Sequence, residues 1–138
     1  MESEALAATT GSWQAMHAET ILIVDDEPTV RMMVSETMTE TGYHIVAAAD
    51  GPTALKLLET SARFDLLITD LGLPGGLSGE QLANAARKIR DDLKILFVTG
   101  YAENAVLENG QLPPDSRVLT KPFSIEALIQ AVSSLLPE

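Results

Sequence analysis

Ile21-Leu22-Ile23-Val24-Asp25-Asp26 is an apolar run that ends on two carboxylates. The pattern recurs twice. Leu66-Leu67-Ile68-Thr69 runs into Asp70, and Val118-Leu119-Thr120 runs into Lys121-Pro122. A short apolar run between helical patterns reads as a strand buried on both faces of a parallel sheet. Ligands of open α/β sheets bind beyond the carboxyl ends of such strands. Three carboxylates and one amine are therefore expected at one edge of one sheet. A fourth run, Ile95 to Val98, ends in Thr99 and belongs with them.

Outward from these runs the chain alternates strand and helix five times. The first helix opens at Pro28, which suits an initial helical turn. Val30, Met33, Val34 and Met38 keep one face apolar, and Gly42 ends the helix as a left-handed cap. Tyr43 to Ala48 reads as strand two. Asp50-Gly51-Pro52 opens a helix with Ala54, Leu57 and Leu58 inward. Phe64 to Thr69 is strand three. Ser78 and Gln81 match a capping box ahead of a helix with the stripe Leu82, Ala86 and Ile89. Leu93 to Val98 is strand four, 102–109 a weaker helix, and Arg117 to Thr120 strand five. Ser124 caps a last helix whose stripe is Ile125, Leu128, Ile129, Val132 and Leu136. Strict βα alternation with short loops means a parallel sheet covered by helices on both faces. The expected fold is a flavodoxin-like (βα)5 three-layer α/β sandwich with strand order 2-1-3-4-5.

Length and composition bound the function. The 138 residues suit one domain. Residues 1–18 are rich in Ala, Thr, Ser and Glu, carry an isolated Trp13 and sustain no apolar stripe, so they read as a linker or extension ahead of a domain at 19–138. A formal charge of −11 argues against a nucleic-acid partner, whose phosphates it would repel. The chain has no cysteine, hence no disulfide framework or thiolate metal site. No apolar run approaches the roughly 18–20 residues of a membrane span, and the N-terminus lacks a signal-peptide pattern. A cytoplasmic location is the expectation.

In the order 2-1-3-4-5, strands one and three are neighbours about 4.8 Å apart, so Asp25, Asp26 and Asp70 converge. Two carboxylates about 4 Å apart repel by roughly 4 kcal/mol at an effective dielectric near 20. Three such groups call for a proton or a cation. Oxygen ligands with no Cys or His among them favour a hard ion, and a small open carboxylate site suits Mg²⁺. Thr99 and Lys121 line the same crevice. Were Asp70 to carry a phosphoryl group, Mg²⁺, Lys121 and the Thr99 hydroxyl would each have an oxygen to hold. A lone strand-end Asp, Thr or Lys is usually structural; the joint placement carries the weight.

The segments ILIVDDEP, LLITDLGLPGGLSG, LFVTGYAE and VLTKPF together resemble the receiver domain of two-component response regulators, over about residues 20–136. The resemblance implies that Asp70 is the phosphoacceptor, served by a phosphohistidine on a sensor histidine kinase or a histidine phosphotransfer protein. It implies Mg²⁺ held by Asp25, Asp26, Asp70 and the backbone carbonyl of Gly72, with Lys121 paired to the phosphoryl group and a cis Lys121-Pro122 bond. It also implies a signalling domain, not a metabolic enzyme, that catalyses its own phosphorylation and dephosphorylation. By the same analogy, the face of helix four, strand five and helix five is the switching surface and a candidate homodimer surface. VTGYAENA is similar to receivers attached to hybrid sensor kinases.

Departures from the family pattern matter. Many receivers have an aromatic residue three positions before the lysine; here Val118 stands there, so propagation would rest on Thr99, Gly100 and Tyr101. Gly72 puts no side chain over the phosphoryl position, which implies easier water access and a short-lived phosphate. A haloacid-dehalogenase-type phosphatase would place a second Asp where Gly72 stands. A nucleotide-binding module would place a glycine loop where Asp25-Asp26-Glu27 stands. A pseudo-receiver, acting only as an interaction module, is the remaining alternative. His17 and His44 have no ligand spacing, and Met32-Met33 reads as helix packing.

Overall fold

The computed structural model describes residues 19–100 and 115–136. The N-terminal segment 1–18, with Trp13 and His17, and the weaker helix at 102–109 lie outside the described residues. In chain order the elements are β1 (Thr20–Val24), α1 (Pro28–Thr41), β2 (His44–Ala48), α2 (Gly51–Leu58) and β3 (Leu66–Asp70). They continue with α3 (Gly79–Ile89), β4 (Lys94–Thr99), β5 (Ser116–Thr120) and α4 (Ile125–Leu135). The five strands are all parallel, in the order β2-β1-β3-β4-β5. This is the flavodoxin-like arrangement that the sequence implies.

Strand alternation divides the core in two. Leu22, Val24, Leu67, Ile95 and Phe97 face α2 and α3, where Ala54, Leu58, Leu82 and Ala86 close the layer. Ile21, Ile23, Leu66, Ile68, Leu96 and Val98 face α1 and α4, against Val34, Met38, Leu128 and Val132. Each central strand is thus buried on both sides, as a parallel sheet requires.

The helix ends follow local chemistry. Gly42 has φ 111° and its N–H reaches back to the last carbonyls of α1, a backbone conformation cheap only for glycine. The Asp50 carboxylate accepts the Thr53 N–H at 2.8 Å, and hydrogen bonds from the Thr53 side chain and then its N–H hold that acid below its ordinary pKa. Ser78 Oγ accepts the Gln81 N–H at 3.2 Å while Gln81 Oε1 accepts the Ser78 N–H at 3.0 Å, completing the capping box. Ser124 Oγ accepts the Ala127 N–H at 3.0 Å.

Three expected packing positions differ. Ile89 is 42% exposed and Ala83 is buried in its place. At about 100° per residue, Leu82, Ala83 and Ala86 span an arc whose centre lies about 70° from Ile89. Ile125 is also exposed and Leu135 is inside, because it is Leu128, Val132 and Leu135 of α4 that face the sheet. Of the methionine pair, Met33 packs against the α1/α4 core while Met32 is exposed.

One contact fixes where β3 ends. A Cβ at Gly79 would stand 2.1 Å from the Asp70 carbonyl oxygen and 2.8 Å from Leu71 Cα. The first turn of α3 therefore rests directly on the backbone that carries Asp70, and the Gly79 N–H donates to the Leu71 carbonyl at 3.0 Å. The obstacle is backbone, which cannot swing aside. Gly79→Ala is expected to lower stability by about 2–3 kcal/mol in a urea titration. A change below about 0.5 kcal/mol, the ordinary range of neutral surface substitutions, would contradict this account of the α3–β3 contact.

Candidate functional site

The two-residue period of the strands selects which side chains meet. Ile21 and Ile23 point toward α1 and α4, and Asp25 continues their series one step beyond β1. Leu66, Ile68 and Asp70 form the equivalent series in β3. Leu119 packs on the same side, and Lys121 is the next residue of its parity. Register then aligns the ends: Val24 pairs with Thr69, Asp70 with Val98 and Val98 with Leu119. Asp25, Asp70 and Lys121 are thus delivered to one side of one sheet edge by spacing alone.

The side chains meet there. Lys121 Nζ lies 3.0 Å from Asp70 Oδ2, 3.1 Å from Glu27 Oε1 and 3.6 Å from Asp25 Oδ2. Asp70 Oδ1 accepts the Gly72 N–H at 3.0 Å, and Asp25 Oδ1 accepts the Glu27 N–H at 2.9 Å. One carboxylate oxygen from each of Asp25, Asp26 and Asp70 lies within 4.8 Å of the others. Asp25 and Asp70 are buried and Asp26 is exposed. A cavity of about 320 Å³ opens over the cluster, lined by Asp26, Glu27, Asp70, Gly72, Gly100 and Lys121.

Electrostatics make this edge unusual. Burial pushes the Asp25 carboxyl above its ordinary pKa; the Glu27 N–H and Lys121 oppose the rise, while Asp70 and Asp26 add to it. Burial pulls the Lys121 amine down, but hydrogen bonds to Asp70 and Glu27 and the charges of Asp25 and Asp70 outweigh it and hold the amine above its ordinary value. Three carboxylates, of Asp25, Glu27 and Asp70, face one ammonium, and Asp26 adds a fourth negative charge beside them. Ligands supplied wholly by oxygen, with surplus negative charge, fit a hard divalent cation that keeps some of its water.

Thr99 is fully buried at the end of β4, with its hydroxyl donated to the Gly100 carbonyl at 2.9 Å. It continues the Ile95–Phe97 series, opposite in parity to Asp70 and Lys121. The Lys121 N–H donates to the Thr99 carbonyl at 2.8 Å, so the two strand ends are joined through backbone. The Lys121-Pro122 peptide bond is cis. Val118 is packed against the core shared with Phe97, and His44 is exposed. Tyr101 lies outside the described residues.

Two participants were not singled out from the sequence. In sequence Glu27 is one more acid after Asp25-Asp26, and its bond to Lys121 joins residues 94 positions apart. Glu27 is also the N-cap of α1, and its side chain makes no cap bond there. Gly79 has no local marker beyond following Ser78, because its necessity comes from a backbone 9 residues earlier in the chain.

Comparison with known proteins agrees with this geometry. The family model for the response regulator receiver domain matches residues 21–133. The response regulator receiver protein CpdR of Brucella abortus is 34% identical over 116 residues, covering 84% of this chain and 95% of CpdR. The sensor kinase CckA of the same species is 37% identical over 120 residues, covering 85% of this chain but 12% of that protein. The crystal structure of the response regulator TrrA from Thermotoga maritima in complex with Mg(2+)-BeF superposes with a TM-score of 0.74 at 36% identity, covering 86% of this chain and 99% of that one. With the strand order, the strand-end charges and a family match spanning nearly the whole sheet all in agreement, the chain belongs to the response regulator receiver domain family of two-component signalling.

Proposed function

We propose that this receiver takes a phosphoryl group onto Asp70 in a Mg²⁺-dependent reaction. The observation that carries the reading is the placement of Lys121 Nζ 3.0 Å from Asp70 Oδ2, beside two further carboxylates gathered within 4.8 Å. Asp25, Asp26 and Asp70 would hold the metal, with the Gly72 carbonyl as a further ligand. When bound, Mg²⁺ would supply the positive charge that lets anionic phosphoryl oxygens approach this acidic edge.

The donor is a phosphohistidine on a sensor histidine kinase or a histidine phosphotransfer protein. A carboxylate oxygen of Asp70 attacks phosphorus, an O–P bond forms, and the N–P bond breaks. The imidazole leaves with that electron pair and takes up a proton. Lys121 transfers its hydrogen bond from the carboxylate to a phosphoryl oxygen, and the Gly72 N–H steadies the Asp70 carboxyl. Little covalent work falls to the protein, and positioning and charge do most of it. The Thr99 hydroxyl reaches a phosphoryl oxygen only by leaving the Gly100 carbonyl. That exchange is the proposed switch, coupled to β5 through the Lys121 N–H. The resulting acyl phosphate is hydrolysed in the same site, and Gly72 leaves its approach open to water.

An apolar groove of about 410 Å³, lined by Val30, Met33, Pro122 and Phe123, meets the site at Lys121 and supports a protein donor. No helix among the described residues is long and apolar enough to cross a membrane, and a cytoplasmic location fits a phosphorelay partner. The switching face, which is also the proposed dimer face, runs through 102–109, outside the described residues.

Incubation with Mg²⁺ and acetyl phosphate should add one phosphate to the intact mass. Asp70→Asn should abolish the addition, and chelation of Mg²⁺ should prevent it. Absence of the increment in the wild type, under conditions that label a control receiver, would favour the pseudo-receiver. A second expectation concerns stability. The raised pKa of Asp25 means that its buried charge costs folding free energy at neutral pH, a cost relieved by a cation. Mg²⁺ at ten times its Kd should stabilise the wild type by about 1.4 kcal/mol, roughly 5 °C in Tm for a domain of this size. Asp25→Asn should raise Tm in the absence of metal and remove most of the Mg²⁺ response. An undiminished Mg²⁺ shift in Asp25→Asn would place the ion elsewhere.

A further inference from the structure

Glu27 stands apart from the other acids of the site. Its side chain is 58% exposed, against 4% for Asp25 and 7% for Asp70, yet it reaches Lys121 Nζ at 3.1 Å. It occupies the N-cap of α1 with an extended backbone, where a hydrogen bond from the helix N–H groups to its side chain would be the local alternative. It makes no such bond, and Pro28 follows it. The carboxylate is committed to Lys121 instead.

An ammonium has three N–H donors, and here three carboxylates surround it. Resting on the phosphoacceptor reading of Asp70, a phosphoryl group there would bring about −1.5 to −2 charges and three strong acceptor oxygens to the same ammonium. Glu27 would then lie one lysine away from a second strong anion. It has the freedom to leave: it is exposed, at a helix start, and its backbone N–H is held separately by Asp25 Oδ1 at 2.9 Å. Asp25 and Asp70 lack that freedom, being buried at the ends of packed strands.

We propose that Glu27 is a positioning residue that competes with the phosphoryl group for Lys121. With Asp70 unmodified, it holds the amine at the mouth of the site. When Asp70 is phosphorylated, Lys121 turns to the phosphoryl oxygens and Glu27 is released to solvent. Glu27 therefore disfavours the phosphorylated form and sets how fully the site responds to a given supply of donor.

The test uses beryllofluoride, an anionic stand-in for the phosphoryl group, titrated at a Mg²⁺ concentration that saturates each protein. Amide NMR gives the affinity, and the Lys121 side-chain ammonium signal reports its partners. Glu27→Gln keeps the size and polarity of an exposed side chain and removes only the charge. The variant should bind beryllofluoride about three- to tenfold more tightly, the scale of one partly exposed charge pair together with a like-charge repulsion. The Lys121 ammonium signal should differ between the two proteins before beryllofluoride is added and coincide after saturation. Wild-type binding with equal or weaker binding by Glu27→Gln overturns the role of Glu27 alone. Failure of both proteins to bind overturns the phosphoacceptor reading and this inference with it.

Discussion

The site depends on the register of four parallel strands. Side chains alternate along each strand with a period of two, and the pairing of β1, β3, β4 and β5 leaves the ends of these series aligned. A slip of one residue in β3 would turn Asp70 toward α2 and α3 and bring Thr69 to the acidic cluster. The Thr20 N–H on the Asp65 carboxylate ties the start of β1 to that of β3, but the register rests mainly on apolar faces. Ile21, Ile23, Leu66, Ile68, Leu96 and Val98 enforce it, because each has one buried face to fill. The hydrophobic core thus sets the geometry of the charged site.

That geometry holds charges which the fold alone would not choose. Asp25 and Asp70 are buried next to each other and close to Asp26, and one ammonium serves Asp25, Asp70 and Glu27. Burial raises the Asp25 pKa, so the protein carries a cost at this edge that a cation would remove. Such an arrangement responds strongly to arriving charge. In the proposed reaction a divalent cation and a phosphoryl group would change the partners of Lys121, and its N–H on the Thr99 carbonyl would carry the disturbance to the end of β4. Val118 packs against the core that holds Phe97, and the Lys121 N–H on the Thr99 carbonyl extends the β4–β5 ladder to this edge.

Much of this was legible in the sequence because it depends on local spacing. The apolar runs marked the buried strands, their last residues marked the site, and the Gly42 cap and the Ser78–Gln81 box marked helix ends. Side-chain placement in the helices was less legible. Ile89, Ile125 and Met32 are apolar, but the arc of a helix that meets a sheet is chosen by packing partners distant in sequence. Glu27 and Gly79 were missed for the same reason. The first is defined by a lysine in the last loop, and the second by the carbonyl of Asp70. Interactions that span the fold leave little trace at either end.

Chemical location of the phosphoryl group tests the central claim most directly. After reaction with a phosphodonor, reductive trapping with borohydride converts an aspartyl phosphate to homoserine, and peptide mass mapping identifies the residue. Conversion confined to Asp70 is the predicted result. Conversion at Asp25, Asp26 or Glu27, or phosphate that resists borohydride altogether, would contradict the assignment of Asp70 as the residue around which this sheet edge is built.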